Sequence, residues 1–178
     1  MRRRSLLAAT AAALILTVFG LGLVGCGSPR MAALHADCTT KDLKWKLAVL
    51  KKKPHSTHRE ARLTAVNEGP GACVFRGFPV FEVHVGKGPE SDGKGRGQTM
   101  PIDLRRGGTV TTSLRYKDSD RGTPSAACMV SNDTAVVAAP RDTTGGRAIA
   151  ARDETGGRAR MTICEDTVWM SPPKEIAE

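Results

Sequence analysis

Two short patterns in this chain carry residue types that could do chemistry, and each dictates what its surroundings must be. Gly88-Pro89-Glu90-Ser91-Asp92-Gly93-Lys94-Gly95 has most of the glycine and lysine spacing of a loop that cradles phosphate with backbone N–H groups. Such a loop needs Ser or Thr after the lysine to hold magnesium, and a helix N-terminus behind it. Gly95 stands at the first of these positions and no helical pattern follows. The segment therefore reads as a mobile hairpin loop. Ser171-Pro172-Pro173-Lys174 has the Ser-x-x-Lys spacing of penicillin-recognising enzymes, which works when one helical turn brings the lysine to the serine. Two prolines between them prevent that turn, and the chain has neither Ser-Asp-Asn nor Lys-Thr-Gly to complete the set.

Histidines and acids offer metal ligands only weakly. His55 and His58 lie three apart beside Pro54, while His35 and His84 are distant, so they read as solvated loop residues. Asp118-Ser119-Asp120-Arg121-Gly122 starts like a calcium loop, but it lacks the third acidic or amide ligand and the distal Glu, and Arg121 would repel the ion. A turn accounts for it better. These patterns predict no catalytic residue, no metal and no cofactor.

Cysteine chemistry gives a firmer address. Residues 1–25 have the layout of an export signal, with Arg2, Arg3 and Arg4 ahead of an apolar stretch from Leu6 to Val24. That stretch approaches the length of a short membrane span. Leu23-Val24-Gly25-Cys26, however, suits transfer of diacylglycerol to the Cys26 sulfur and cleavage just before it. The expected organisation is a lipoprotein signal peptide at 1–25, a tether at 26–37 beginning with lipidated Cys26, a folded domain at 38–172 and a C-terminal tail at 173–178. Cys38, Cys73, Cys128 and Cys164 remain, an even number in an oxidising compartment and without a Cys-x-x-Cys knuckle for zinc. They are expected to form disulfides, for which four cysteines permit three pairings.

Removal of the signal lowers the formal charge from +9 to +6. The stretch from Lys41 to Arg62 holds eight basic residues against Asp42 and Glu60, so the whole surplus falls in it. Lys44, Lys46, Lys51, Lys52 and Lys53 are the candidates for contact with an anionic surface. Nucleic acid is the usual partner of such a patch inside a cell, but an exported domain meets anionic lipid and cell-wall polymer instead.

The elements that must position these residues are strands. Leu43, Trp45, Leu47 and Val49 alternate with Lys44, Lys46 and Ala48, a period of two that marks a strand with one wet face. Extended runs follow at 61–66, 72–75, 80–85, 100–104, 110–116, 127–130, 135–138, 148–151 and 160–168, bounded by Gly, Pro, Asp or Asn. Such spacing predicts one all-β domain, an antiparallel sandwich. Asp142-Thr143-Thr144-Gly145-Gly146-Arg147-Ala148 recurs as Asp153-Glu154-Thr155-Gly156-Gly157-Arg158-Ala159, an offset that fits two Gly-Gly turns separated by a short strand.

Taken together, Cys38 before a strand, Asn67-Glu68-Gly69 and Cys73-Val74-Phe75-Arg76-Gly77-Phe78-Pro79-Val80 resemble the core of the domain of unknown function 4232. The likeness continues through 102–110, Leu114-Arg115-Tyr116, Cys128, 136–140 and Cys164. Phe75 and Phe78 replace the family's usual Leu and Tyr, and Arg106-Gly107 its Pro-Gly. The family is frequent in secreted lipoproteins of high-GC Gram-positive bacteria. The resemblance implies an immunoglobulin-like β-sandwich with four paired cysteines and brings no catalytic or ligand residues. Cys38 with Cys73 and Cys128 with Cys164 agrees with its early and late cysteines and keeps each bridge within one half of the chain.

These readings converge on a lipid-anchored lipoprotein at the extracellular face of the cell membrane. Its domain is expected to be a non-catalytic module that binds an anionic lipid, a wall polymer or a neighbouring envelope protein. A cell-wall-active enzyme with scattered carboxylates and a passive structural lipoprotein are the alternatives.

Overall fold

The computed structural model describes residues 36–119 and 128–176. The signal segment, Cys26, His35 and the Asp120-Arg121-Gly122 part of the acidic turn lie outside them.

The described residues are strands joined by turns, apart from one 3-10 turn at Thr40–Asp42. The strands are β1 (Leu43–Val49), β2 (His58–Asn67), β3 (Cys73–Phe75), β4 (Val80–His84), β5 (Glu90–Gly95), β6 (Ile102–Leu104) and β7 (Thr109–Lys117). Then come β8 (Val130–Asn132), β9 (Thr134–Ala138), β10 (Arg147–Asp153), β11 (Met161–Ile163), β12 (Thr167–Met170) and β13 (Lys174–Ile176).

The all-β expectation holds, but the strands do not separate into two sheets. They run β12-β5-β4-β9-β10-β1-β2-β7 and close on themselves, because β12 pairs with β5 on one edge and β7 on the other. Eight strands thus form a barrel. The closing strand is short, and it is followed by Ser171-Pro172-Pro173, where a proline has no N–H to donate to the ladder. The chain bulges there and then resumes as β13 beside the start of β7. Lys174–Ile176, in the stretch expected as a tail, therefore form a strand. At the other end Ala36 and Asp37, expected as tether, already pair with β3: the Val74 N–H donates to the Ala36 carbonyl at 2.9 Å and the Cys38 N–H to the Val74 carbonyl at 3.0 Å.

Alternation fills the barrel. Leu43, Trp45, Leu47 and Val49 from β1 are buried, as are Ala61, Leu63 and Ala65 from β2 and Leu114 and Tyr116 from β7, while Lys44 and Lys46 are exposed. Aromatics are few, so packing relies on backbone approaching side chains closely. Added side-chain carbons at Gly93 would come within 2.9 Å of Phe81 and 3.0 Å of Met170, and at Gly95 would overlap the Phe78 ring. Most of the glycine-rich segment expected as a loop, Glu90–Gly95, is strand β5. Gly93 and Gly95 are thin places in the wall.

Two small pairings, β3 with β6 and β8 with β11, belong to opposite ends of the barrel. The Cys38–Cys73 bridge fastens the first and Cys128–Cys164 the second. The expected pairing is the one observed.

Tyr116 is fully buried, and its hydroxyl has no hydrogen-bond partner among the described residues. Burial pushes the phenol well above its ordinary range, partly offset by nearby Arg59. An unsatisfied buried hydroxyl costs about 1 to 3 kcal/mol. Tyr116→Phe is therefore expected to leave urea stability unchanged or raise it by about 1 kcal/mol. A loss larger than that would reveal a partner for the hydroxyl.

Candidate functional site

The five lysines expected to form one patch are placed apart. Lys44 and Lys46 project outward from β1, whereas Lys51, Lys52 and Lys53 lie in the β1–β2 connection, at the end of β1 away from Cys38. Seven residues of strand put the two ends on the order of 20 Å apart. Carboxylates engage three of the five. Lys44 Nζ lies 2.8 Å from Glu68, Lys53 Nζ 2.9 Å from Glu60, and Lys52 Nζ 3.8 Å from buried Asp118 while donating to the Ser119 carbonyl at 2.8 Å. Glu60 already counts within the hairpin's surplus of +6, and the fold brings Glu68 and Asp118 alongside it from outside.

The chemical patterns come apart in a similar way. Ser171 Oγ accepts the Ser113 N–H at 3.0 Å, and Lys174 lies in β13 beyond the two prolines. His58 Nδ1 is 3.0 Å from Thr57 Oγ1 and His84 Nδ1 is 3.1 Å from the Gly86 carbonyl. No group of three or more metal-ligating side chains gathers among the described residues. Asp118 accepts the Ser119 N–H at 2.9 Å and lies between Lys52 and Arg59, so cations of the chain occupy it.

The repeated Asp-x-Thr-Gly-Gly segments are two turns flanking β10, as expected. Asp142 Oδ1 accepts the Thr144 N–H at 2.9 Å and hydroxyl at 2.6 Å, and Asp153 Oδ1 accepts the same groups of Thr155 at 2.9 and 2.7 Å. Gly145 and Gly156 follow at φ of 121° and 88°, where a side chain would be strained. These bonds hold both carboxyls below the usual carboxylate range. Asp142 also takes the Thr40 N–H at 2.6 Å, tying its turn to the start of β1.

Another surface stands out in the fold. Pairing places Glu60 opposite Arg115, Arg115 opposite Trp169 and Trp169 opposite Lys94, a row crossing β2, β7, β12 and β5. The Arg96 N–H donates to the Met170 carbonyl at 2.9 Å, and the Arg96 guanidinium carbon then lies 3.4 Å from the Trp169 ring centroid. An open groove of about 460 Å³ runs here, with Leu114, Met170 and Pro172 among its lining residues. Glu60, its one carboxylate, is taken by Lys53 at 2.9 Å. No ion pair engages Arg62, Lys94, Arg96 or Arg115 among the described residues. Counting charge along the chain does not reveal this face, because Lys94, Arg96 and Arg115 come from the part of the chain that is neutral on balance.

A second hollow, of about 280 Å³, is lined by Glu82, Glu90, Asp92 and Phe78. Glu82 and Asp92 face each other across β4 and β5. Both are only half-buried, whereas a general acid is usually set apart from its partner by burial.

The fold and these surfaces define a disulfide-fastened β-barrel domain with a cationic, aromatic outer groove. The model of the domain of unknown function 4232 (DUF4232) matches residues 38–168, and the chain belongs to that family. Its Asn67-Glu68-Gly69 and Cys73 to Val80 signatures fall in the β2–β3 turn and in the segment leading into β4. No curated protein and no solved structure matches the chain.

Proposed function

We propose that this chain is a lipoprotein anchored at the extracellular face of the cell membrane through Cys26, and that its domain binds an anionic envelope component without catalysis. The anchor reading rests on Leu23-Val24-Gly25-Cys26 and fits two disulfides, which persist in oxidising compartments. The observation that carries the binding reading is the outer face around Trp169, where exposed arginines without carboxylate partners flank a half-buried indole. In the first hairpin, exposed Lys46 extends this positive face, and Lys51, Lys52 and Lys53 add a second, partly neutralised contribution. We further read the ring as an immunoglobulin-like sandwich drawn shut. On that reading β1, β2 and β7 form one side and β4, β9 and β10 the other, with β12 and the parallel β1–β10 pair as seams.

Mass spectrometry of membrane-extracted protein is expected to find diacylglyceryl Cys26 as the first residue. Retention of residues 1–25 would overturn the anchor. The full chain in neutral detergent is expected to sediment with purified anionic cell wall at low salt and to be released near 1 M, where screening acts within about 3 Å. Absence of binding, or binding indifferent to salt, would overturn the second half.

A further inference from the structure

The groove at Trp169 has features of an oxyanion site that a merely basic surface lacks. Resting on the reading of the domain as an anion-binding module, we infer that this groove takes an acidic sugar unit of an anionic polysaccharide. Arg96 and Arg115 receive its carboxylate, and its ring lies along the groove against Pro172 and the part of the indole that Arg96 leaves uncovered.

Arg96 supplies the first reason. Its guanidinium carbon lies 3.4 Å from the Trp169 ring centroid, a cation–π contact that fixes the group before any ligand arrives. The N–H donors of a guanidinium radiate in its own plane, so contact through its face leaves the edge available for bidentate recognition of a carboxylate. No carboxylate uses that edge among the described residues.

Arg115 supplies the second. It is the cross-strand partner of Trp169, so the indole lies between two guanidinium-bearing positions. Its neighbour Glu60 could have neutralised it, but Glu60 holds Lys53 at 2.9 Å. The exposed Ser113 hydroxyl is a further donor close by, on the same outer face of β7.

Shape supplies the third. The groove's volume of about 460 Å³ is in the range of small-ligand sites. Leu114 and Met170 are buried beneath it, so the apolar surface left to the C–H face of a sugar ring is Pro172 and the accessible part of Trp169. Trp169 is recessed in mid-wall and does not protrude as an aromatic anchored in a bilayer does. It is also a single platform, where a tract of stacked bases is met by successive aromatics.

The test is titration of the detergent-solubilised full chain with sodium polygalacturonate near physiological salt, read by calorimetry and tryptophan fluorescence. The other controls are neutral dextran, phosphatidylglycerol vesicles and a single-stranded oligonucleotide. Arg96→Gln and Arg115→Gln are each expected to weaken binding by about tenfold, as loss of a charge-assisted bidentate contact does. Arg96→Lys is expected to fall by about fivefold despite keeping its charge, because an ammonium has neither fork nor plane. Arg152→Gln, on strand β10 across the barrel, is expected to change binding by less than about twofold, with circular dichroism confirming the fold of every variant. Wild-type affinity in Arg96→Lys would overturn the site in favour of diffuse charge, as would an equal loss in Arg152→Gln. Tighter binding of oligonucleotide than of polygalacturonate, or vesicle binding that falls in Arg96→Gln as polygalacturonate binding does, would overturn the ligand class. If wild type binds none of the anionic probes and no anionic wall, the binding-module reading itself fails. If it binds but the groove variants match wild type, only the groove is lost.

Discussion

Replacing Asn67 by Ala is expected to lower the stability of the domain by about 3 kcal/mol, a large share of what a domain of this size possesses. Asn67 is 1% exposed and uses both ends of its amide. Its Nδ2 donates to the carbonyls of Gly71 and Leu104, each at 2.9 Å, and its Oδ1 accepts the Gly69 N–H at 3.0 Å. Backbone bonds to Gly107 and Gly108, at 2.7 and 3.0 Å, fasten the same residue to the β6–β7 turn. Truncation strands three partners at once, and those buried from water lose the most. Asn67→Asp is expected to be no better, since it retains the acceptor but aims a buried carboxylate at two carbonyls. Glu68→Ala, which removes only an exposed pair with Lys44, is expected to cost less than about 0.5 kcal/mol. Urea midpoints of the three variants decide the matter. An Asn67→Ala midpoint equal to that of Glu68→Ala would show that the amide network contributes nothing beyond its backbone bonds.

Loss of either disulfide is expected to be comparably severe. The bridges close loops with sequence separations of 35 and 36, for which the chain-entropy model gives about 3 to 4 kcal/mol each. Because the loops are nearly equal in length, Cys38→Ala with Cys73→Ala and Cys128→Ala with Cys164→Ala are expected to lower stability by similar amounts. The bridges lie at opposite ends of the barrel and share no partners, so removing both should cost about the sum and leave the domain unfolded at 37 °C. Chemical denaturation of the two double variants and circular dichroism of the quadruple variant provide the measurement. A quadruple variant as stable as either double variant would mean that one bridge contributes nothing once the other is gone.

Among the smaller features, the strands that alternate strictly were the most legible in the sequence. Leu43, Trp45, Leu47 and Val49 are all buried and the lysines between them exposed, because period two is a property of one strand and needs no knowledge of its neighbours. The Gly-Gly turns could be read for the same reason, since Asp and Thr bond backbone groups within four residues. Strand β5 was not legible. Gly93 and Gly95 are punctuation by local rules, and only the side chains of Phe81, Met170 and Phe78 packed against them make their lack of a side chain a requirement. Likewise 160–168 reads as one extended run, yet β11 and β12 divide it between an end cap and the barrel wall.

What the sequence determined by itself was therefore the all-β class, the buried face of β1, the turn chemistry and a supply of four cysteines to pair. What tertiary structure decided was closure and adjacency. A short β12 joins β5 to β7 and turns an expected sandwich into a barrel, a choice made by edge hydrogen bonds that no local pattern encodes. The same register sets Arg115 opposite Trp169 and Trp169 opposite Lys94, residues far apart in the chain, while Glu60, Glu68 and Asp118 come alongside the lysines of the first hairpin. Charge counted along a chain ignores such neighbours. Charge on a folded surface depends on distances of a few ångströms, and these are fixed only when strands pair.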